Sequence, residues 1–444
     1  YMITVIDDKK MKNLIKGAPE VLLDKCKYYY DKNGRKELFL NKIKIEDKIK
    51  NATSNGVRVI VLASSDNINA TIFNDLVFVG AIFIKDPVRK EAKEGIRLVS
   101  NASIKTVMIT GDNKNTAEAI AREVGLVNDS SDVIITSDEL NSLSDSEVKR
   151  MLPKLKVVSR SLPQDKSRLV RLSKEMGLVT GMTGDGVNDA PALKRADVGF
   201  AFGSGSEVAK EASDIILLEK SLQVIYDGVI EGRKVYGNII KYMKMALSSD
   251  FGDVFSILIA SIFLPFLPLL PIQMLIQDFL YDISQIAIPY DDVDKEFLEK
   301  PRKWDTKGLG KFMNVMGITS SITDVIAFVV FWFVFGYNSV DKQSWFQTAW
   351  FVECLISETM IIHYVRTAKR PFIESRANKW LTLGTFGTII GTILTPILLH
   401  NIPSFHFEIL PLKYYGFVIL LLAIYSVLVE IIKKIYIKKN GEWL

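Results

Sequence analysis

The sequence is poor in cysteine, and this scarcity excludes two ways of holding a chain together. Its 444 residues include two cysteines, Cys26 and Cys354, which lie far apart. Such a pair indicates neither a disulfide framework nor a zinc site. The first residues contain no charged leader followed by a cleavable apolar segment, so they predict no secretory signal.

The sequence also lacks a strong excess of charge of either sign. The formal net charge is +5, and in the second half of the chain Lys and Arg concentrate in short loops. This distribution is typical of membrane topology signals and not of a nucleic-acid-binding patch. We therefore expect no nucleic-acid partner.

Long apolar runs are absent from the first half of the chain and abundant in the second. Each run can supply the ~20 residues that a helix needs to cross ~30 Å of hydrocarbon. The runs lie near residues 240–263, 267–289, 311–336, 345–365, 380–399 and 412–436. They predict a membrane domain over residues 236–444, an all-α bundle of six helices in the lipid bilayer of the cell membrane.

The loops between these runs predict their orientation. Basic residues crowd the loops 290–311 and 366–379 and the C-terminal tail, whereas the alternate loops contain a single one, Lys342. Positively charged loops face the cytoplasm. The soluble half and the C-terminus are therefore predicted to be cytoplasmic.

The first half of the chain has the pattern of a soluble α/β protein. Between residues 76 and 220, short apolar runs alternate with helical patterns of about ten residues, which indicates a parallel sheet built from βαβ units. We predict one domain over residues 81–235 and a separate, mixed α+β domain over residues 1–80.

The strongest motif is the string MTGDGVNDAPAL at residues 182–193, which follows an apolar strand. Asp185 would lie at the carboxyl end of that strand, where ligands bind in open α/β sheets. Asp185 and Asp189 offer hard oxygen ligands suited to Mg²⁺ held with phosphate. The alternative is an acidic turn that caps a helix beginning near Pro191.

Two further motifs follow other strands of the same predicted sheet. In VMITGDN at residues 107–113, the hydroxyl of Thr110 can donate to a phosphate oxygen at a helix N-terminus, and Gly111 and Asp112 complete the turn. Lys166 can neutralise phosphate as a compact charge. Read separately, these residues fit an ordinary capping aspartate and a solvated lysine.

Carboxylates occur inside the predicted membrane spans. Asp250 and Asp253 are three residues apart, and Asp278 and Asp282 are four apart, so each pair shares a helix face. A charge at mid-bilayer costs at least ~2.5–3.5 kcal/mol, which favours a cation site in one cavity between two facing helices. Glu358, and with it Glu353, is a further candidate. The alternative, a position near a helix end or facing water, fits Asp250 best.

Taken together, these motifs resemble those of the P-type cation-transporting ATPases, whose phosphorylation domain has the haloacid-dehalogenase-like fold. KGAPE at residues 16–20 resembles that family's nucleotide-domain signature, GVR at 56–58 resembles its phosphate-reaching segment, and DPVR at 86–89 resembles its interdomain hinge. The resemblance implies that residues 1–80 are the C-terminal part of a nucleotide-binding domain. It also implies ATP and Mg²⁺ as cofactors.

The resemblance assigns roles residue by residue. Asp185 would hold the catalytic Mg²⁺ with Asn188 and Asp189 beside it, and Thr110 and Lys166 would contact the transferred phosphoryl group. ATP would be bound by Lys16, Gly17 and Arg58, with help from Asp112 and Arg160. The implied reaction is phosphorylation of an aspartate by ATP, coupled to alternating access of membrane ion sites.

The family's acceptor aspartate lies in a D-K-T-G-T string, and no such string occurs in this sequence. The sequence therefore predicts that a missing N-terminal part of the same pump supplies the acceptor and the first four membrane helices, and that the chain alone is inactive. Two alternatives are a membrane-tethered phosphatase, which would need an Asp-x-Asp string before Thr110 that is absent, and a truncated non-catalytic membrane module.

The predicted cation is Mg²⁺. The strings at 277–285 and 288–305 resemble the bacterial magnesium-pump subfamily, as do Ser320-Ser321 and the pattern from Trp350 to His363. That subfamily often has Asn where this sequence has Asp250, Asp253 and Asp278. A calcium-transporting pump is the alternative.

Overall fold

Alternating buried and exposed positions in the amino-terminal strands produce one six-stranded sheet. The computed structural model describes residues 2–8, 10–54, 56–66, 75–84 and 88–443. The sheet has the order β1-β2-β5-β6-β3-β4, and among its neighbouring strands only β3 and β6 run parallel. Its strands are β1 (Met2–Asp8), β2 (Lys10–Gly17), β3 (Cys26–Tyr30), β4 (Lys36–Leu38), β5 (Arg58–Ser65) and β6 (Leu76–Ile84). Helices α1 (Pro19–Leu22) and α2 (Lys42–Ser54) accompany it.

The next segment alternates strands with helices, as the sequence predicts. Every strand pair in it is parallel, but the strands form two sheets of three, β7-β9-β8 and β10-β11-β12, in place of the single sheet expected. The strands are β7 (Met108–Ile109), β8 (Val133–Thr136), β9 (Leu155–Ser159), β10 (Gly181–Gly184), β11 (Val198–Phe202) and β12 (Ile215–Leu217). The helices are α3 (Lys90–Asn101), α4 (Lys114–Glu123), α5 (Ser137–Ser142), α6 (Asp145–Met151), α7 (Pro163–Glu175), α8 (Ala190–Arg195) and α9 (Glu207–Glu211).

The remainder of the chain is helical, and the chain divides into two compact units, Tyr1–Asp227 and Gly228–Leu444. The helices are α10 (Leu222–Phe263), α11 (Pro271–Gln285), α12 (Lys295–Leu298), α13 (Thr306–Phe333), α14 (Gln343–Val365), α15 (Lys379–Leu399) and α16 (Leu412–Asn440). A helix occurs at each of the six predicted apolar stretches.

Six spans nevertheless remain a prediction. Among the described residues, four helices are long and apolar enough to cross a membrane: α10, α13, α15 and α16. Helix α11 has 15 residues, about 22 Å at 1.5 Å per residue, which is shorter than the ~30 Å hydrocarbon layer. Helix α14 has 23 residues, and the polar residues among its many buried positions lower its mean hydropathy.

A buried carboxylate in the second unit connects the middle of one helix to the ends of two others. Asp291, in the loop after α11, is fully buried. It accepts hydrogen bonds from Lys241 Nζ of α10 at 2.8 Å and from Arg366 Nε, at the end of α14, at 2.8 Å. It also accepts from the backbone N–H of Asn378, just before α15, at 3.0 Å. Burial opposes ionisation, but Arg366 and Lys241 outweigh it and hold the pKa of Asp291 below its usual value.

We expect Asp291→Asn to destabilise the chain, because the substitution leaves two buried cations without a counter-charge. Breaking a buried ion pair costs about 3–5 kcal/mol. Because the folded-state pKa is depressed, this stabilisation is present at neutral pH and is lost as the pH falls below roughly 4. Thermal unfolding of the detergent-solubilised chain measures both effects.

Asp292→Asn is the matched control for this prediction, since Asp292 is the next residue and its side chain is exposed. Equal melting temperatures for the two variants at pH 7 would show that the ion pairs of Asp291 do not stabilise the fold.

Candidate functional site

The three soluble motifs follow strands of the two parallel sheets. Thr110 comes directly after β7, Arg160 directly after β9, and Asp185 directly after β10. All three therefore lie at carboxyl ends of parallel strands, where ligands bind in open α/β sheets.

Backbone hydrogen bonds join the loops after β7 and β9. The N–H of Thr110 donates to the carbonyl oxygen of Val158 at 2.9 Å, and the N–H of Ser161 donates to that of Thr110 at 2.9 Å. The N–H of Arg160 donates to the carbonyl oxygen of Asp112 at 2.8 Å. The hydroxyl of Thr110 donates to Asp112 Oδ2 at 2.9 Å. These bonds hold Thr110, Asp112 and Arg160 together, with Gly111 between the first two.

Asp189 ties the loop after β10 to Lys166. Lys166 Nζ lies 2.5 Å from Asp189 Oδ1. The other oxygen, Oδ2, accepts the N–H groups of Asp185 and Gly186 at 3.2 and 3.1 Å. Because both oxygens have protein partners, Asp189 orients this loop and the lysine.

A second buried aspartate sets the position of Lys166. Asp165, the preceding residue, is 1% exposed. Its carboxylate accepts hydrogen bonds from Ser137 Oγ at 2.6 Å, Asn141 Nδ2 at 3.1 Å and the N–H of Leu162 at 2.8 Å. These bonds fix the first turn of α7, from which Lys166 extends.

Asp185 and Asn188 offer accessible oxygen atoms in the loop after β10. Both residues are exposed, and the carboxylate of Asp185 has one cation nearby, Lys220 Nζ at 3.7 Å, among the described residues. Hard, accessible oxygens at the end of a strand fit Mg²⁺. Asp189, with both oxygens engaged, fits a direct ligand role less well.

Two of the residues predicted to bind the nucleotide, Lys16 and Arg58, lie on one face of the six-stranded sheet. In the antiparallel register Lys16 lies opposite Leu62, and Arg58 is four residues before Leu62 on β5. Lys16 and Arg58 therefore point to the same side, separated by roughly 13 Å along the strand. The opposite face is the core, with Ile15, Val59 and Val61.

Arg160 connects the two predicted ligand regions of the first unit. It forms an ion pair with Glu20 of α1, three residues after Gly17. Of the predicted hinge motif, Asp86 and Pro87 lie outside the described residues. Its last residue, Arg89, donates through Nη1 to the carbonyl oxygen of Lys220 at 2.8 Å.

In the second unit, Asp253 and Glu358 meet in a buried polar cluster. Gln277 Nε2 donates to Asp253 Oδ2 at 3.0 Å and to Glu358 Oε2 at 3.3 Å. The thiol of Cys354 donates to Asp253 Oδ1 at 3.3 Å. Potential ligand atoms of Asp253, Cys354 and Glu358 lie within 4.8 Å of one another. This cluster can bind a cation.

The other three predicted carboxylates lie outside this cluster. Asp250, Asp278 and Asp282 are exposed positions of the described chain. On α11 the buried residues are Gln273, Gln277, Tyr281, Ser284 and Gln285. Asp278 and Asp282 each follow one of these residues, so they point about 100° away around the helix.

Sequence reasoning missed Gln277, Cys354 and Asp324. All three are buried, and Asp324 is 4% exposed in the middle of α13. The available signal for Asp324 was a single aspartate inside an apolar run, which hydrocarbon disfavours. The sequence contained no comparable signal for Gln277 or Cys354.

Comparison with known proteins shows the family of the chain. The model of haloacid dehalogenase-like hydrolases matches residues 15–197, and the model of the cation-transporting ATPase C-terminus matches residues 266–435. The "Magnesium-transporting ATPase, P-type 1" of Salmonella typhimurium is 42% identical over 419 residues, covering 92% of this chain and 45% of that protein. The chain belongs to the P-type cation-transporting ATPases.

Other members of the family are similar over nearly the whole chain. The protein of the same name in Escherichia coli is 38% identical over 452 residues, 99% of this chain and 49% of that protein. "Calcium-transporting ATPase 1" of Bacillus cereus is 32% identical over 463 residues, 98% of this chain and 51% of that protein. The chain spans about half the length of the curated relatives it matches.

Two neighbouring glycines provide a test of the Asp189 contact. A Cβ at Gly184 would lie 2.4 Å from Asp189 Cβ, whereas a Cβ at Gly186 would meet its nearest neighbour at 3.6 Å. We expect Gly184→Ala to displace Asp189 and to cost about 1–3 kcal/mol, and Gly186→Ala to be tolerated. Proteolysis of the first unit across a urea series measures the difference, and equal susceptibility of the two variants would contradict the close packing.

Proposed function

We propose that this chain is part of an ATP-driven pump that moves a divalent cation, Mg²⁺, across the cell membrane through an aspartyl-phosphate intermediate. The observation that carries the proposal is the presence in one chain of hydrogen-bonded polar loops at the ends of parallel strands and of a carboxylate cluster among apolar helices. The carboxylate cluster is expensive to maintain among apolar helices without a ligand.

The soluble residues would bind and orient ATP. Lys16 and Gly17, with Arg58 on the same sheet face, would receive the nucleotide, and Arg160 would approach its phosphates from the loop after β9. Exposed apolar side chains near Lys16 would offer a surface for the adenine ring. They include Leu14, which is 42% exposed, and Ile82, which is 48% exposed. With the adenine ring on these apolar side chains, the phosphates would lie toward the basic residues.

The loops at the strand ends would hold the transferred phosphoryl group. The hydroxyl of Thr110 would turn from Asp112 to donate to one of its oxygens, and Lys166 would neutralise charge as it develops. Asp185, with Asn188 beside it, would hold Mg²⁺, which when bound offsets the charge of the phosphate oxygens. Asp189 would keep Lys166 and the Asp185 loop in register.

We further propose that the acceptor aspartate comes from a segment outside these 444 residues. The support is that β7 and β10 are each an edge strand, with one hydrogen-bonded neighbour among the described strands. A parallel strand joining the two sheets would bring its carboxyl end beside Thr110 and Asp185. The exposed Asp250, Asp278 and Asp282 would likewise face helices from that segment and contribute to the ion path with Asp253 and Glu358.

The magnesium assignment is supported by the names of the 38–42% identical relatives, and calcium transport is the alternative that a 32% identical relative supports. The basic loops support a cytoplasmic position for the soluble unit and the C-terminus.

We expect the isolated chain to form no acid-stable phosphoenzyme from radiolabelled ATP. A chimera joining it to the N-terminal half of the Salmonella typhimurium relative should form one, and Asp185→Asn should abolish it. The chimera in vesicles should take up Mg²⁺ at fixed ATP, and Asp253→Asn should raise the Mg²⁺ concentration needed for half-maximal uptake.

The alternatives predict different results. If the chimera takes up Ca²⁺ but does not take up Mg²⁺, the pump transports calcium. Phosphorylation of the isolated chain would disprove the external acceptor. A chimera that folds but is never phosphorylated would favour a non-catalytic membrane module.

A further inference from the structure

A small cavity in the second unit lies among helices α10, α13, α14 and α16. Its volume is ≈ 20 Å³, which is room for one water-sized particle. The polar residues around it include three acids, Asp253, Asp324 and Glu358, and four serines, among them Ser248 and Ser320. The three carboxylates offer the hard oxygen atoms that a small divalent cation prefers.

Asp324 is held rigidly at the edge of this cavity. Ser256 Oγ of α10 donates to its Oδ2 at 2.6 Å, and Trp350 Nε1 of α14 donates to its Oδ1 at 3.2 Å. Two donors on two different helices fix both oxygens of the carboxylate. Both donors are neutral, so they orient the charge without balancing it.

The cavity has acids but no basic partner. Asp324 is 4% exposed and Glu358 is 8% exposed, and Glu353, 1% exposed, lies one residue from Cys354 on α14. Among the described residues, none of these acids, nor Asp253, forms an ion pair with Lys, Arg or His. Asp324 is hydrogen-bonded to Glu353, and Asp253 to Glu358, and two carboxyl groups form such a bond only by sharing a proton. A bound cation would take the place of that proton and balance the buried charge.

A second, independent feature indicates a ligand. Ser248 is 7% exposed and lines the cavity. Its buried hydroxyl has no hydrogen-bond partner within the described part of the chain. Buried polar groups are nearly always satisfied, and a cation or its bound water in the cavity would satisfy this one.

We propose that Asp324 is a further cation-binding residue, which supplies from α13 a third carboxylate charge at the cavity that Asp253 and Glu358 also line. The inference rests on the proposed function and deepens it, because it adds a residue to the site of Asp253 and Glu358. A purely structural Asp324 would only fasten α13 to α10 and α14.

The two roles predict opposite behaviour in the absence of metal. Asp324→Asn preserves the size of the side chain and removes its charge. If Asp324 serves the cation, the variant should be at least as stable as the unchanged chain in EDTA, and its Kd for Mg²⁺ should rise about 10–100-fold. If Asp324 is structural, the variant should lose stability in EDTA with an unchanged Kd.

The measurement is isothermal titration calorimetry of the full chain in nanodiscs with Mg²⁺ and, separately, Ca²⁺, together with thermal unfolding in EDTA. Trp350 supplies a local reporter, because its indole N–H donates to Asp324. Mg²⁺ should change its fluorescence, and Trp350→Phe should remove this change. Asp341→Asn is the matched control, since Asp341 is an exposed acid between α13 and α14.

Each outcome decides the inference. A raised Kd for Asp324→Asn, with Asp341→Asn unchanged, supports it. If Asp253→Asn weakens binding and Asp324→Asn does not, the inference fails and the proposed function stands. If the unchanged chain binds neither cation, the inference is overturned. If the chain binds Mg²⁺ but the chimera transports none, the proposed function fails instead.

Should Asp324→Asn not fold, Ser256→Ala tests the same point. It removes the 2.6 Å hydrogen bond and leaves the charge in place. A rise in Kd for Mg²⁺ of several-fold supports the inference, and an unchanged Kd overturns it.

Discussion

One buried carboxylate, that of Asp291, fixes the helices on which the candidate ion site depends. Lys241 and Arg366 both reach it at 2.8 Å, and these residues belong to the two helices that carry Asp253 and Glu358. Lys241 is roughly 18 Å along the helix axis from Asp253, and Arg366 roughly 12 Å from Glu358. A slip of either helix by one residue, about 1.5 Å, would separate charges that are buried and would otherwise be unpaired. The free-energy cost of that separation therefore fixes the positions of Asp253 and Glu358 along the axes of their helices.

Buried aspartates with fully engaged oxygens also position residues in the first unit. Asp165 and Asp189 are buried, and the protein saturates their oxygens with hydrogen bonds. Asp165 positions the neighbouring Lys166, which reaches Asp189, and Asp189 positions the loop of Asp185, whose carboxylate is exposed. The fold therefore divides closely spaced polar residues into those that position the backbone and those that remain open to a ligand. The motif GDGVND contains both positioning residues and residues that are open to a ligand. The residue types alone therefore do not show which residue has which role.

This division explains how far the sequence could predict the site. Strand, glycine turn and helix follow from local patterns, so the sequence alone is enough to place Thr110 and Asp185 at strand ends. The spacing of Asp278 and Asp282 correctly put them on one face of α11. Spacing gives relative directions around a helix but not which direction is inward, and the inward residues are Gln277 and Tyr281. Asp324 depends on Ser256 and Trp350, which lie on other helices, and no local pattern reports such a contact. The separation into two three-stranded sheets likewise depends on pairing between distant strands.

Counter-charge distinguishes the two kinds of buried acid in the second unit. Asp291 has two cations in contact, so its negative charge is balanced permanently and its role is to hold the fold. Asp253, Asp324 and Glu358 receive hydrogen bonds from an amide, an indole, a hydroxyl and a thiol, all neutral. Neutral donors orient a carboxylate but leave its field uncompensated in a medium where charge is poorly solvated. A site built in this way would be stable in its charged form only when a cation enters, and in the proposed pump this dependence would couple binding and release to a change elsewhere in the protein.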